Sequence, residues 1–445
     1  MYDSIVIEGK NKPTVTFVFE HFVNDALSAA SSKGMPVIRV VPETIVSEST
    51  VIEDIEAAIT AVADKMVGAL TRPLTAEERS PKPREPEKPT RIVFKGSLEE
   101  VNRFFYKRGW TDGFPIIPPT EEAVAEMLTG TDLSGGHLVA ELEPRRGKAT
   151  VEKIAINGVM AGALPTYMPL LIAGVQALAD NPSSGMMAAS TGSWAPFWLI
   201  NGPISKDLQI SSSFGAMSPG NIANATIGRT LGLITKNIRG VRKQIEDMGV
   251  LGNPGKYSMV AAENEEFSPW EPMHVEHGFR KEDNTMTLTF PQSFQQMIPY
   301  GTDDQGILTT VVTSIIQARM GLFALLLTPP NAKSLASRGW TKKKIKDYII
   351  ENARFTVDYY SQFGGGEGVF LNRNAATDQG NSHVIFRITQ REPEPVQIYV
   401  FGGFGSWIGF LQGGPQPVIK KAELPTNWDK LVAKYKNIVP SYVRY

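Results

Sequence analysis

The chain contains no cysteine among its 445 residues. That absence excludes disulfides, thiolate nucleophiles and cysteine-ligated zinc or iron–sulfur clusters. Histidine is scarce too, and imidazole chemistry can come only from His21, His137, His274, His277 and His383. Charge of either sign is not in excess, with 45 Lys and Arg against 46 Asp and Glu. No net field therefore draws the protein to a polyphosphate, and nucleic acid is not expected as a partner. A long uninterrupted apolar run is also missing. The best candidate, residues 306–327, is broken by Gln317, Arg319 and several threonines, which predicts a buried helix and a strand rather than a membrane span. The apolar run near the N-terminus is short and lies between Asp3 and Glu8, so no secretory leader is read and the expected setting is the cytoplasm.

What is present is the composition of a folded globule, 42% hydrophobic and 20% charged. More than one core is expected, because single cores stop growing at roughly 250–300 residues. The predicted fold class is α/β. A small parallel α/β domain spans residues 1–79, a linker spans 80–90, and a larger mixed α/β body spans 91–445 with a candidate division near 283. The linker rests on Pro81, Pro83, Pro86 and Pro89 with charged residues between them, a composition that neither builds a core nor continues a helix.

In the small domain, Ser4 to Ile7, Val15 to Phe19 and Val37 to Val41 read as strands, with helical spacing over His21 to Ser32 and Ile52 to Leu70. In the body, Ser97 and Glu100 form a capping box before the helix that opens LEEVNRFF, and Thr341 caps a lysine-rich helix running to Ala353. Helices are expected over Val151 to Ala163 and from about Asn221, and strands near Trp198 to Asn201, Asn284 to Phe290 and Val396 to Phe401. No internal repeat is read from the sequence.

The glycine-rich segments do not make phosphate motifs. Neither GGFGSWIG at Gly402 nor FGGGEG at Gly364 has the spacing of a dinucleotide or P-loop fingerprint. More informative is SSFGAMSPGNIANATIGR, where Asn221 and Asn224 open a helix whose free N–H groups and Arg229 could hold an anion; the alternative is a simple asparagine cap. The densest chemistry is AENEEFSPWEPMHVEHGF, which brings Glu271, His274, Glu276 and His277 close in sequence. It reads as a metal-free acid–base site, a metal site or a solvated loop. Glu152, Lys153 and Asn157 lie along one predicted helix, as dipole partners or as pocket groups. Asp112 in WTDG reads first as a turn former, and Lys256 follows the turn GNPG.

The segment HFVNDALSAASSKGMPVIRVVPETI, together with RGWTDGFPIIPPTEEAVAEML, TVEKIAINGVMAGALP, NIANATIGR, SPWEPMHVEHGF and SLASRGWTKKKIKDYI, resembles the UGSC-type (seleno)protein family, a small domain fused to its larger partner protein. That family is itself distantly similar to the glycine and proline reductase selenoproteins. The resemblance implies selenol or thiol chemistry on an organic substrate. At the position of the redox motif, however, this chain reads VTFV over Val15 to Val18, so the implied reductase step lacks its residue here.

The expected function is thus a thiol-independent enzyme of small-molecule catabolism, a lyase or hydratase acting on a carboxylate-bearing substrate. His274, Glu271, Glu276, Glu152, Lys153 and Asp112 are the candidate catalytic groups. Asn157, Asn221, Asn224, Arg229 and Lys256 are the candidate substrate-binding groups. Two alternatives stay open: a catalytically silent binding or complex-forming subunit, and a metal enzyme using His274 and His277. The cofactor is left open, and a homo-oligomer is expected. The whole assignment requires the segment around His274 to share a cleft with the helix that carries Arg229.

Overall fold

The computed structural model describes residues 2–44, 52–79, 90–315, 323–356, 385–387 and 394–438. Most of the predicted linker, the glycine run at 364–368 and His383 lie outside the described residues. Helices and mixed sheets coexist throughout, so the fold is α/β.

The small unit runs α1 (Tyr2–Glu8), β1 (Thr16–Phe19), α2 (Val23–Ser32), β2 (Val40–Glu43), α3 (Ile52–Thr71) and α4 (Ala76–Arg79). Strands β1 and β2 pair in parallel, and Gly34, at φ +85°, ends the turn after α2. The predicted strand over Ser4 to Ile7 is instead helix α1. A four-residue apolar run carries no period that separates strand from helix, and the described sheet has only β1 and β2.

This unit docks on the body through α2. Ser28 Oγ donates to Glu246 Oε1 at 2.5 Å, Arg145 reaches the same carboxylate at 2.6 Å, and Lys33 pairs with Glu143 at 3.0 Å. Burial alone would raise the Glu246 carboxyl, but hydrogen bonds from Arg242 and Ser28 and the charge of Arg145 hold it down at about 2. Asp25 beside it is pushed up to about 6, by burial and then by Glu246. A carboxyl raised in the folded state contributes stability that is complete below its ordinary value and lost as pH rises through about 6. Asp25→Asn is therefore expected to raise the melting temperature at neutral pH and to match the parent near pH 3. The shift, discounted for a half-exposed group, corresponds to about 1–2 kcal/mol. An identical offset at both pH values in thermal unfolding would refute this account.

In the body, α5 (Leu98–Lys107), α6 (Glu121–Leu128), the hairpin β3 (Leu138–Leu142) and β4 (Gly147–Thr150), α7 (Val151–Ala161), α8 (Met168–Asp180) and α9 (Ser184–Ala188) come first. Next are β5 (Phe197–Asn201), α10 (Ile204–Asp207), α11 (Ile222–Asn237), β6 (Val260–Ala262), α12 (Met273–Glu276) and β7 (Thr285–Thr289). After these follow β8 (Ser293–Met297), α13 (Asp304–Ile315), β9 (Phe323–Leu327), α14 (Pro329–Ser337), α15 (Lys342–Asn352), β10 (Arg354–Thr356) and β11 (Ile385–Arg387). The chain closes with β12 (Val396–Val400), β13 (Ile408–Gln412), β14 (Val418–Lys421) and α16 (Trp428–Tyr435).

Two four-stranded sheets, ordered β6-β5-β7-β14 and β12-β9-β13-β8, have the same pairing: parallel, antiparallel, antiparallel. In each half a strand, its helices, a parallel strand and an antiparallel strand follow in order, and the fourth strand crosses to the other sheet. The hydrogen bond from Glu263 N to Ile200 O at 3.0 Å is matched by that from Phe401 N to Leu327 O at 2.9 Å. The two sheets of the body thus share one topology with exchanged strands, although no repeat is read in the sequence. Aligned on those bonds, the halves share Leu199 with Leu326, Pro203 with Pro330, Lys206 with Lys333 and Leu208 with Leu335, too few identities to show as self-similarity. Because the strands are exchanged, a cut near residue 283 would part β7 from its partner β5.

The sheets face each other through Phe197, Leu199, Ala261, Ala324, Leu326, Tyr399 and Leu411. Their outer faces are covered separately, by α7, α8 and α11 on one side and by α13, α14 and α15 on the other. Strands buried on both faces read as continuous apolar runs, which is why β5, β9 and β12 were legible as strands.

Candidate anion-binding site

Helix α11 begins as the sequence predicts, with Asn221 Oδ1 accepting from Asn224 N at 3.1 Å. Asn224 itself is buried and structural: its Nδ2 donates to Val260 O at 2.9 Å and to Ala216 O at 3.2 Å, holding the preceding loop to β6. The chemistry lies at the other end of the helix. Arg229, Gly232 and Lys236 recur at helical spacing and line a cavity of about 190 Å³.

The segment Trp110 to Pro115 is strapped across this face. Arg229 makes a two-pronged ion pair with Asp112, at 2.8 and 3.0 Å, and also donates to Pro115 O at 2.8 Å. Lys236 Nζ donates to Thr111 O at 2.6 Å, and Asn237 Nδ2 to Trp110 O at 3.1 Å. Asp112 also accepts from Phe114 N at 3.2 Å, so it is both turn former and cavity wall. The far wall is the turn before β6, where Lys256 pairs with Asp247 at 2.6 Å. Trp194, Tyr257 and Phe290 supply apolar surface.

The lining carries five cations, Arg229, Lys236, Arg239, Lys243 and Lys256, against the two carboxylates of Asp112 and Asp247. Both carboxylates are committed to Arg229 and Lys256. Among the described residues Lys236, Arg239 and Lys243 make no direct ion pair, although Asp112 and Glu143 act on the first two at longer range. Arg239 is the extreme case, fully buried. Its Nε donates to Glu143 O at 2.7 Å and its Nη2 to Ser184 Oγ at 3.0 Å; among the described residues Nη1 has no partner. Burial lowers the guanidinium to about 10, with Glu143 opposing, and leaves it cationic at neutral pH. Lys236 is also lowered, first by burial and further by Lys243, against the pull of Asp112.

Of the sequence-derived candidates, the structure brings Asp112, Arg229 and Lys256 to this cavity. Asn157 sits just behind it, accepting from Asn237 Nδ2 at 2.8 Å and donating to Lys153 O at 2.9 Å. Lys153 turns away to Lys148 O, and Glu152 pairs with Arg91 at 3.3 Å. The segment around His274 lines neither this cavity nor the larger one described below, so the shared cleft expected from sequence does not form. His274 is fully buried, and among the described residues neither ring nitrogen has a partner. Glu276 and the main chain of Glu271 are held by Lys342 Nζ at 2.7 and 2.8 Å. Among the described residues no three His, Asp or Glu side chains converge as a metal site.

Sequence reasoning missed Lys236, Arg239 and Lys243. The signal was the basic run KNIRGVRK after the helix, which reads generically as cations favoured at a helix C-terminus. No protein-family model matches the chain, and comparison with curated proteins and with solved structures returns no match.

Proposed function

We propose that the cavity beneath α11 holds a small carboxylate and that the chain is an enzyme of small-molecule metabolism acting on it by acid–base chemistry. The observation that carries the reading is Arg239. Among the described residues Arg239 makes no ion pair and feels the Glu143 carboxylate only at longer range; a buried cation so weakly compensated is costly, and a ligand carboxylate supplies further negative charge. Lys243 and Lys236 add to the same field, and Trp194 and Tyr257 offer apolar surface to the ligand's carbon frame. Lys236 is the proton carrier in this reading. A lysine whose pKa is lowered by burial spends more time as a free amine near neutrality, as a general base requires.

The reaction class, lyase or hydratase, follows from the lack of thiols together with the resemblance to a family of enzymes on organic substrates. The cytoplasmic setting and a homo-oligomer belong to the same proposal; the exposed pair Val250 and Leu251 supports self-association. A second reading, a silent binding subunit, is favoured by the commitment of both cavity carboxylates to ion pairs.

Incubation of the protein with a panel of small carboxylates in D2O distinguishes the two readings. Deuterium uptake by a bound carboxylate, followed by mass spectrometry, is expected with the parent chain. Lys236→Gln should lower it by about 100-fold or more while binding falls by less than about tenfold. Saturable binding with no exchange or conversion would leave the silent subunit, and no binding by any carboxylate would end both.

A further inference from the structure

A second cavity, of about 540 Å³, opens beyond the carboxyl ends of the parallel strands β9 and β12. Its walls are the loop from Ser213 to Ser218, Thr328 at the end of β9, and the glycine-rich turn from Gly402 to Gly409. Crevices at the carboxyl ends of parallel strands are where open α/β sheets bind ligands.

Among the described residues the lining contains no ionisable side chain. Five aromatic rings, Phe214, Phe294, Phe401, Phe404 and Trp407, face Ser213, Ser218, Thr328 and Gln296 as the polar side chains. Phe214 packs against Gly403, where any Cβ would clash with its ring. Phe404 extends the row at 6.2 Å from Phe214 and 4.9 Å from Phe267. The turn is held in place by Thr328 Oγ1 donating to Gly405 O at 2.6 Å and Asn331 Nδ2 donating to Trp407 O at 2.9 Å.

The sheet of like topology shows that the fold does not need this opening. At the matching place beyond β5 and β6, Glu263 stands where Phe401 does, and Asn201 stands where Thr328 does. There the space is filled: the Glu263 carboxylate takes Asn201 Nδ2 at 2.6 Å and Met273 N at 2.8 Å, with Lys342 Nζ at 3.7 Å. In the other half, glycines at 402, 403 and 405 replace that charged filling and the crevice stays open.

We infer that this second cavity binds an uncharged, planar aromatic molecule, of the phenol or quinone type. A charged ligand would lose hydration with no ionic partner in the lining. A flat neutral ring stacks on Phe214, Phe404 and Trp407, lies against main chain bared by glycine, and finds hydroxyl and amide partners at its edge. The inference is independent of the carboxylate reading, since the two cavities share no lining residue.

The probe is 2-naphthol, neutral at about pH 7, measured by equilibrium dialysis on the full chain against 2-naphthalenesulfonate, the same ring bearing a charge. Saturable 2-naphthol binding, at least about tenfold tighter than the sulfonate, is expected for the unmodified protein. Gly405→Leu, where a Cβ meets only Trp407 Cδ1 at 3.6 Å, and Ser213→Leu on the facing wall should each weaken it by about tenfold. Equal binding of the two probes, absence of saturable binding, or an affinity that both folded variants leave unchanged would overturn the inference.

Discussion

Arg239→Met is expected to lower the affinity for the bound carboxylate by about 100-fold, the worth of about two charge-assisted hydrogen bonds. The same substitution should change the melting temperature of the ligand-free protein little. It removes the bonds to Glu143 O and Ser184 Oγ, but it also removes a fully buried cation that among the described residues makes no direct ion pair. Loss of these two bonds is offset by removal of the desolvation cost of a cation buried without a direct ion pair. The signature is thus a loss of ligand-induced stabilisation without a loss of intrinsic stability, read by thermal unfolding with and without ligand and by calorimetric titration. An affinity within about threefold of the parent would show that Arg239 does not meet the ligand.

Lys342→Met should produce the opposite pattern. Its Nζ sits 2.7 Å from Glu276 and 3.7 Å from Glu263, whose carboxylate is wholly buried. That carboxylate also ties β5, α12 and β12 together through Asn201, Met273 N and Val400 N. Removing the only lysine so close among the described residues leaves a buried charge unpaired, at a cost of about 3–5 kcal/mol in urea unfolding. Lys343→Met, whose pair with Asp347 is exposed, should cost less than about 1 kcal/mol. Carboxylate binding by the folded fraction should be unaffected. A Lys342→Met protein as stable as the Lys343 variant would mean that the acidic segment is not the structural lock described here.

The contrast between these two residues marks how far the sequence could be read. Local signals were legible: the Ser97 capping box, the Asn221 and Thr341 caps and the apolar runs of β5, β9 and β12 all fall where their chemistry puts them. Each is decided within a few residues by backbone groups needing partners or by burial on both faces. The site was half legible. Asp112, Arg229 and Lys256 reach the cavity, yet the segment with the most titratable groups per residue, around His274, does not. Density along the chain reports chemistry available, not where it points. Lys342 turned that acidic segment inward, and no feature of the helix it begins announced a buried lysine.

Absence of cysteine, balanced charge and the alternation of helices with buried strands were fixed by the sequence alone, because composition and short-range periodicity need no knowledge of the chain's path. The shared topology of the two sheets with their exchanged strands, the cationic cavity and the closing of one crevice but not the other were decided by tertiary structure. They depend on contacts between residues far apart in sequence, such as Arg229 with Asp112 and Phe401 with Leu327, and pairing across that distance leaves no periodic trace along the chain.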